Sequence, residues 1–470
     1  MVAPNVLGMD NTGVRWTTEQ VLALAPDDAS RKAGARLSAA GPWSDAGSSD
    51  EGAVWGLCKG SGKKPYQTVI DTKGPAYKCS CPSRKFPCKH ALGLLLLWAA
   101  EGTSAVRTVT DVGDGAAPDW AEEWLAGRRK RGEEQREKTK DEAGGAAGQA
   151  DPEAARRRAE RRAARITGGA QELEQRLTDL LRGGLAAAEQ SGYGLWEETA
   201  ARMVDAQAPG LAARVRELGA IPGSGAGWPV RLLEESALLH LLDQGWLGID
   251  RLPAPLATTV RTRVGLPSPA DGPPVKDHWL VLAQYDLSDG KITTRRIWLY
   301  GRESGRTALV LGFGAAGRSP QPALPVGLVI EAELTPHAGA GQLRADLSEE
   351  VGIPEPTGTP PPGGTTTVAL EAYGSALRED PWLDAWPVTL TDVIPVPDGG
   401  NGDGDGWQLA DAEGESALPI APTALARPGL WKLVALSGGG PVRVFGECGH
   451  RGFTPLAAWS PDSSETVRLT

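Results

Sequence analysis

A multi-domain α+β chain is predicted, with a small N-terminal metal-bound module, a central helical bundle and a C-terminal, mainly antiparallel β region. Three observations predict it. Three of the five cysteines and one of the five histidines fall within a short string that separates a strand-like segment from a helix-like one. Leucines recur at helical spacing between Gln171 and Gly248. After Pro253 the period changes to short apolar runs separated by Gly- and Pro-rich turns. A length of 470 residues allows several domains. An apolar share of 40% excludes a wholly disordered chain.

Residues 1–100 form the predicted N-terminal domain, with its metal module at about 50–100. TTEQVLALA starts a helix capped by Thr17 or Thr18, and ASRKAGARLSA reads as a second short helix. GPWSDAGSSDEG is expected to be a turn-rich connector. AVWGLCKG and YQTVIDT have strand composition and flank the turn GSGKKP; AYK then leads into CSCPSRKFPCKH and the apolar helix ALGLLLLWAA. Residues 101–169 are expected to form a charged, partly flexible linker. Within it, DWAEEWLAGRRKRGEEQREKTKDEAGG has short helical potential. Arg156, Arg157, Arg158, Arg161, Arg162 and Arg165 face only two glutamates in EAARRRAERRAARI, which suits an exposed helix, a hinge or a basic contact arm.

Residues 170–250 are predicted helical. Leu173, Leu177, Leu180, Leu181 and Leu185 line one face, and Leu211, Val215 and Leu218 repeat the pattern. VRLLEESALLHLLDQGWL continues it beyond the break PGSGAGWP. Residues 251–470 are predicted mainly β, with strands in HWLVLAQYDL, RRIWLYGR, TALVLGF, LVIEAEL, TTVALEAYG and KLVALSG. Gly (61) and Pro (37) supply the connectors, including PTGTPPPGG from Pro356 and NGDGDG from Asn401.

The chemistry concentrates in Cys79, Cys81, Cys88 and His90. Two Cys-x-(Cys/His) pairs joined by a short turn can supply the tetrahedron that a d10 zinc ion accepts. Three thiolates and one imidazole leave no vacant position, and CSCPSRKFPCKH contains no Asp or Glu to act as a base. A structural Zn2+ is therefore expected, not a catalytic one. Cys58 reads as a small apolar residue, with approach to the metal shell as the alternative. Cys448 and His450 form another Cys-x-His, but a site there would need two further donors.

Cys-x-Cys, a short variable spacer and Cys-x-His resemble the signature of the SWIM zinc finger, and the chain is similar to bacterial SWIM zinc finger family proteins. The resemblance implies Cys79, Cys81, Cys88 and His90 as the zinc ligands, set around a hairpin and an adjoining helix. It also implies binding to DNA or to proteins. It lends no activity to the remaining regions.

The net charge of −10 argues against a wholesale nucleic-acid coat. From Leu57 to His90, however, Lys59, Lys63, Lys64, Lys73, Lys78, Arg84, Lys85 and Lys89 outnumber the single acid, Asp71. Lys63, Lys64, Arg84, Lys85 and Lys89 are candidate contacts to nucleic acid or to an acidic protein. Trp55, Tyr66, Tyr77 and Phe86 are interleaved with them and could stack on bases or build the module's core. GSGKK lacks the spacing and hydroxyl of a phosphate loop, NGDGDG lacks the bidentate Glu of a calcium loop, and neither HExxH nor GxSxG occurs. The start MVAPNVLGMDNTG has no signal-peptide pattern, and the apolar run Ala91–Ala100 is about half a membrane span. The expectation is a cytoplasmic, non-enzymatic adaptor that binds zinc and a protein partner. A DNA- or RNA-binding protein is the alternative, and an enzyme with a C-terminal site the remotest reading.

Overall fold

The computed structural model describes residues 16–26, 28–49, 52–60, 62, 64–73, 76–83, 85, 87–100, 107–109, 117–130, 152–185, 188, 192–288, 292–315, 320–339, 341, 343–352, 354–357, 359–398, 406–461 and 465–470. A capping box opens α1 (Thr18–Ala23): Thr17 Oγ1 accepts from the Gln20 amide at 3.2 Å, and Gln20 Oε1 from the Thr17 amide at 2.7 Å. After α2 (Asp28–Ala35) come strands β1 (Trp43–Ser49), β2 (Ala53–Cys58), β3 (Tyr66–Asp71) and β4 (Ala76–Cys79), then helix α3 (Lys89–Ala99). With β5 (Arg107–Val109) the sheet runs β4-β3-β2-β1-β5, antiparallel except for the β1–β5 pair. The segment expected to be a connector holds β1 instead. Its polar residues have poor strand propensity, but its ladder with the buried β2 outweighs propensity, with a bulge between Ser44 and Gly47.

Alternation along β2 and β3 splits the sheet's two faces. Val54 and Ile70 pack on α3 with Trp16, Leu24, Leu92 and Leu95, while Ala53, Trp55 and Val69 pack on Ala121 and Leu125 of a helix at 119–130, here α4. Helix α3 is buried from His90 through Ala99. A Cβ at Gly93 would lie 2.5 Å from Leu37 Cβ, so only glycine lets the α2 end approach α3 this closely. Ala323 and Leu328 from the C-terminal region complete the same core.

The bundle contains α5 (Pro152–Gly183), α6 (Gly192–Asp205), α7 (Pro209–Ala220), α8 (Trp228–Leu247) and α9 (Ala254–Val264). Helix α5 begins at Pro152, so the arginine-rich segment assigned to a linker is continuous with the first bundle helix. Leu173, Leu177, Leu211, Val215 and Leu218 are buried at the predicted spacing, whereas Leu181 is 50% exposed and falls off the apolar face. Backbones meet where a Cβ at Gly210 would come within 2.0 Å of the Arg263 carbonyl oxygen.

Asp243 of α8 is fully buried, and neither carboxylate oxygen has a hydrogen-bond partner among the described residues. Burial first, then the nearby Glu174 carboxylate, push its pKa up to about 9. The folded state therefore holds a proton that the unfolded chain releases near pH 4. Stability from this group is fully present below that pH and declines as pH rises towards 9. Asp243→Asn is expected to stabilise the protein at pH 8 by on the order of 3 kcal/mol and to have little effect at pH 4. Urea denaturation at the two pH values reads this directly; an equal effect at both would contradict the protonated buried acid.

Two six-stranded sheets form the C-terminal region. In the first, β6 (Val275–Ser288), β7 (Ile292–Gly301), β8 (Thr307–Ala315), β9 (Leu328–Pro336) and β10 (Ala345–Val351) run in the order β10-β9-β6-β7-β8, and β11 (Glu355–Pro356) pairs with β9. In the second, β12 (Ala385–Pro397), β13 (Trp407–Asp411), β14 (Ala417–Pro419), β15 (Val442–Gly449), β16 (Gly452–Trp459) and β17 (Val467–Arg468) run β14-β13-β12-β15-β16-β17. Every pair of named strands in both sheets is antiparallel. Leu280, Leu282 and Trp298 of the first sheet pack on Phe445, Leu456 and Trp459 of the second. Glu447 ties them together, accepting from Tyr285 Oη (2.9 Å), Trp298 Nε1 (3.1 Å) and Arg296 (3.3 Å).

Two predicted strands are helices. TTVALEAYG lies in α10 (Thr366–Glu379), where Thr365 caps the Val368 amide and Ala369, Tyr373 and Ala376 bury one helical stripe. KLVALSG lies in α11 (Gly429–Ser437), which buries Leu430 and Leu433 and ends on left-handed Gly438 (φ 54°). In both, short apolar runs satisfied two periods, and the cap residues decide between them.

Candidate metal centre

Cys79 closes the edge strand β4 opposite Thr68 of β3, and Thr68 Oγ1 lies 3.3 Å from its sulfur. The chain then turns through Cys81, half-buried, to Cys88, the buried N-cap of α3. Cys88 makes no side-chain capping bond, so its sulfur is free to face Cys79 and Cys81. His90 follows in the first turn, 5% exposed, with Nδ1 3.7 Å from Cys79 Sγ and its ring 4.8 Å from that of Tyr66. Strand β4 and helix α3 thus deliver the two donor pairs, and all four donor atoms lie within 4.8 Å of one another. Thiolates in a zinc tetrahedron sit about 3.8 Å apart, given Zn–S bonds near 2.3 Å. The donor set and spacing therefore fit a tetrahedral metal ion.

The electrostatics agree. Cys79 is drawn down to about 4, first by a hydrogen bond from Cys88 and further by His90 and Thr68, against the opposing effect of burial. That same contact pushes Cys88 up, and burial raises Cys81. Three adjacent sulfurs thus resist accumulating negative charge, and a divalent cation at their centre relieves that repulsion.

Among the basic candidates, Lys64, Lys85 and Lys89 are exposed, as are Lys59, Lys73 and Lys78; Lys63 and Arg84 lie outside the described residues. Of the interleaved aromatics, Trp55 is core, Tyr66 is half-buried against His90, and Tyr77 is half-buried with its hydroxyl out of solvent; Phe86 lies outside the described residues. Cys58 is fully buried on β2 and is not one of the four clustered donors, although burial and then the nearby Cys79 push its thiol up. Cys448 and His450 gain no further metal donors among the described residues; His450 instead lies 3.5 Å from Tyr373 Oη. Asn401, Asp403 and Asp405 lie outside the described residues.

One cluster was invisible in sequence because its parts are distant: Asp277, His278 and Glu303 also bring donor atoms within 4.8 Å. Asp277, however, accepts from the backbone amides of His278 (2.6 Å), Glu303 (3.1 Å) and Ser304 (2.8 Å). It caps the β7–β8 turn. Among the described residues, no helix is long and apolar enough to cross a membrane.

A finger-type module with a candidate four-donor metal site, built onto a larger α+β scaffold, is the class that this fold and cluster define. Comparison with family models places the SWIM zinc finger at residues 66–99 and the SWIM-associated four-helix bundle domain at residues 161–264. The chain thus shows regions similar to the SWIM zinc finger and to the helical bundle associated with it, followed by C-terminal β sheets, in that order. No curated protein and no solved structure matches the chain.

Proposed function

We propose that Cys79, Cys81, Cys88 and His90 hold one structural Zn2+ and that the chain is a non-enzymatic, cytoplasmic adaptor whose finger docks an acidic protein partner. Bound there, the ion ties the end of β4 to the start of α3 and neutralises the thiolates. The enclosure of the finger carries the reading. Helix α3 is buried from His90 onward, and α3 and α4 cover the two faces of its sheet. No finger helix is left to enter a nucleic-acid groove, and neither Trp55 nor Tyr66 offers a free ring for base stacking. What faces solvent is a loop, a strand edge and the first residue of α3, with Lys59, Lys64, Lys78 and Lys89, none in an ion pair among the described residues. Such a rim suits a carboxylate-rich protein surface.

The same lysines favour a second reading, contact with DNA or RNA phosphates. Lys64→Glu/Lys89→Glu is expected to reduce recovery of partners by affinity purification at least tenfold, with nuclease treatment leaving wild-type recovery unchanged. Loss of every partner on nuclease treatment, or salt-dependent oligonucleotide binding abolished by the double substitution, would replace the adaptor reading with the nucleic-acid one.

A further inference from the structure

The arginine run on α5 is chemically divided. Its two glutamates pair with Arg156 (Glu160, 2.8 Å) and Arg157 (Glu153, 3.3 Å). Arg158 and Arg162, one helical turn apart, have no carboxylate partner among the described residues, and the Arg162 Nε has no acceptor. Both line a cavity of about 490 Å³ between α5 and the end of α9, where Arg261 joins them. Arg261 is likewise without an ion pair among the described residues. The floor is apolar: Trp246, Leu266 and Pro267, with small alanines of α5 between the arginines. Trp246 donates its Nε1 proton to Thr167 (3.1 Å), so the indole is anchored by its edge. The hydroxyls of Thr258, Thr262 and Ser268 already donate to backbone carbonyls. Donors for a ligand therefore come from the guanidiniums, of which Arg162 makes one long bond to the Gly265 carbonyl (3.5 Å).

Three unneutralised guanidiniums around one apolar hollow repel each other, and an oxyanion between them removes the repulsion with charge-assisted, forked hydrogen bonds. The volume is that of a small-molecule site. A phosphate monoester, with close to two negative charges, matches three arginines better than a single carboxylate or a diester linkage does. We propose that this cavity binds a phosphomonoester with a flat apolar body, of the mononucleotide class: phosphate on Arg158, Arg162 and Arg261, ring on the Trp246–Leu266–Pro267 floor.

Titration calorimetry on the full chain tests this with adenosine monophosphate, adenosine, inorganic phosphate and a single-stranded oligonucleotide lacking terminal phosphates. The monophosphate is expected to bind, with adenosine and inorganic phosphate each at least tenfold weaker. Arg158→Ala/Arg261→Ala should weaken monophosphate binding at least tenfold with an unchanged circular dichroism spectrum. Arg302→Ala/Arg306→Ala, which removes the same charge from the exposed β7–β8 turn, should change it less than twofold. No heat with millimolar monophosphate at low salt would overturn the proposal, as would equal losses in the two double variants. Binding of the oligonucleotide alone through these arginines would make the site a nucleic-acid contact and overturn it as well.

Discussion

Cys88→Ser, or removal of the metal by a strong chelator, is expected to unfold the N-terminal module while the bundle stays folded. Helix α3 has 11 residues, below the roughly 12–15 at which isolated helices become even marginal in water. Its persistence rests on tertiary burial and, with the proposed zinc bound, on a tether at its N-terminus, where Cys88 is the cap residue and His90 lies in the first turn. A structural zinc contributes on the order of 10 kcal/mol of apparent folding free energy in finger-like units, comparable with the whole stability of many domains. Losing the tether releases α3 from a core that includes Trp16 and Trp98, which meet edge to face at 6.0 Å. Tryptophan emission should shift to the red, and protease cleavage should appear between residues 60 and 100. Purified protein is expected to contain one zinc per chain. Cys81→Ser, at the half-buried ligand, should lower occupancy with a smaller change in proteolysis. Cys58→Ser, at the buried sulfur outside the cluster, should leave the stoichiometry at one. A zinc-free protein with an unchanged proteolytic pattern would remove the metal from the account of this fold.

The metal cluster was legible because its four donors are close in sequence and cysteine and histidine are rare in the chain. Local chemistry sufficed to place the strand–turn–helix that carries them. The bundle was legible for a related reason, since Leu173, Leu177, Leu211 and Val215 repeat at a helical period long enough to exclude a strand. Its start was not. The arginines of α5 have high helix propensity but carry no apolar stripe, so the segment reads as a linker although Pro152 opens one continuous helix. Strand β1 failed for the opposite reason: WSDAGSS has neither alternation nor propensity, and only its ladder with β2 makes it a strand. In α10 and α11, apolar runs of strand length hid helices that Thr365 and Gly438 mark at their ends. The arginine cavity lies furthest from sequence reach. Arg158 and Arg261 are about a hundred residues apart, and only the antiparallel return of the bundle unites them.

Trp382→Ala is expected to destabilise the bundle by about 3–5 kcal/mol, although Trp382 lies beyond it in the chain, among the C-terminal elements. The segment after α10 returns to the bundle. Trp382 is 4% exposed, belongs to the core of Leu232, Leu239, Leu242 and Val260, and donates its Nε1 proton to the Leu238 carbonyl (2.9 Å). Arg214 of α7 donates to the Trp382 carbonyl at 3.3 Å. Two residues earlier, the buried Asp380 carboxylate accepts from Arg263 Nε (3.1 Å) and also from the Trp382 amide (3.2 Å). Truncating the indole removes a large apolar volume, opens a cavity between α8 and α9 and removes a second hydrogen bond from the Leu238 carbonyl, which keeps its helical partner. Asp380→Ala leaves the Arg263 guanidinium, 26% exposed, without its partner. A fully buried pair would lose about 3–5 kcal/mol, and the residual solvent contact places this loss below that range. The two residues are directly linked, since the Trp382 amide donates to the Asp380 carboxylate, so the double variant should lose less than the sum. Amide exchange provides the sharper readout: in Trp382→Ala, protection should fall in α8 and α9, not only in the segment that carries the substitution. Unchanged protection of those helices would mean that the bundle closes its core without the C-terminal region. Lost protection would make the two one cooperative unit.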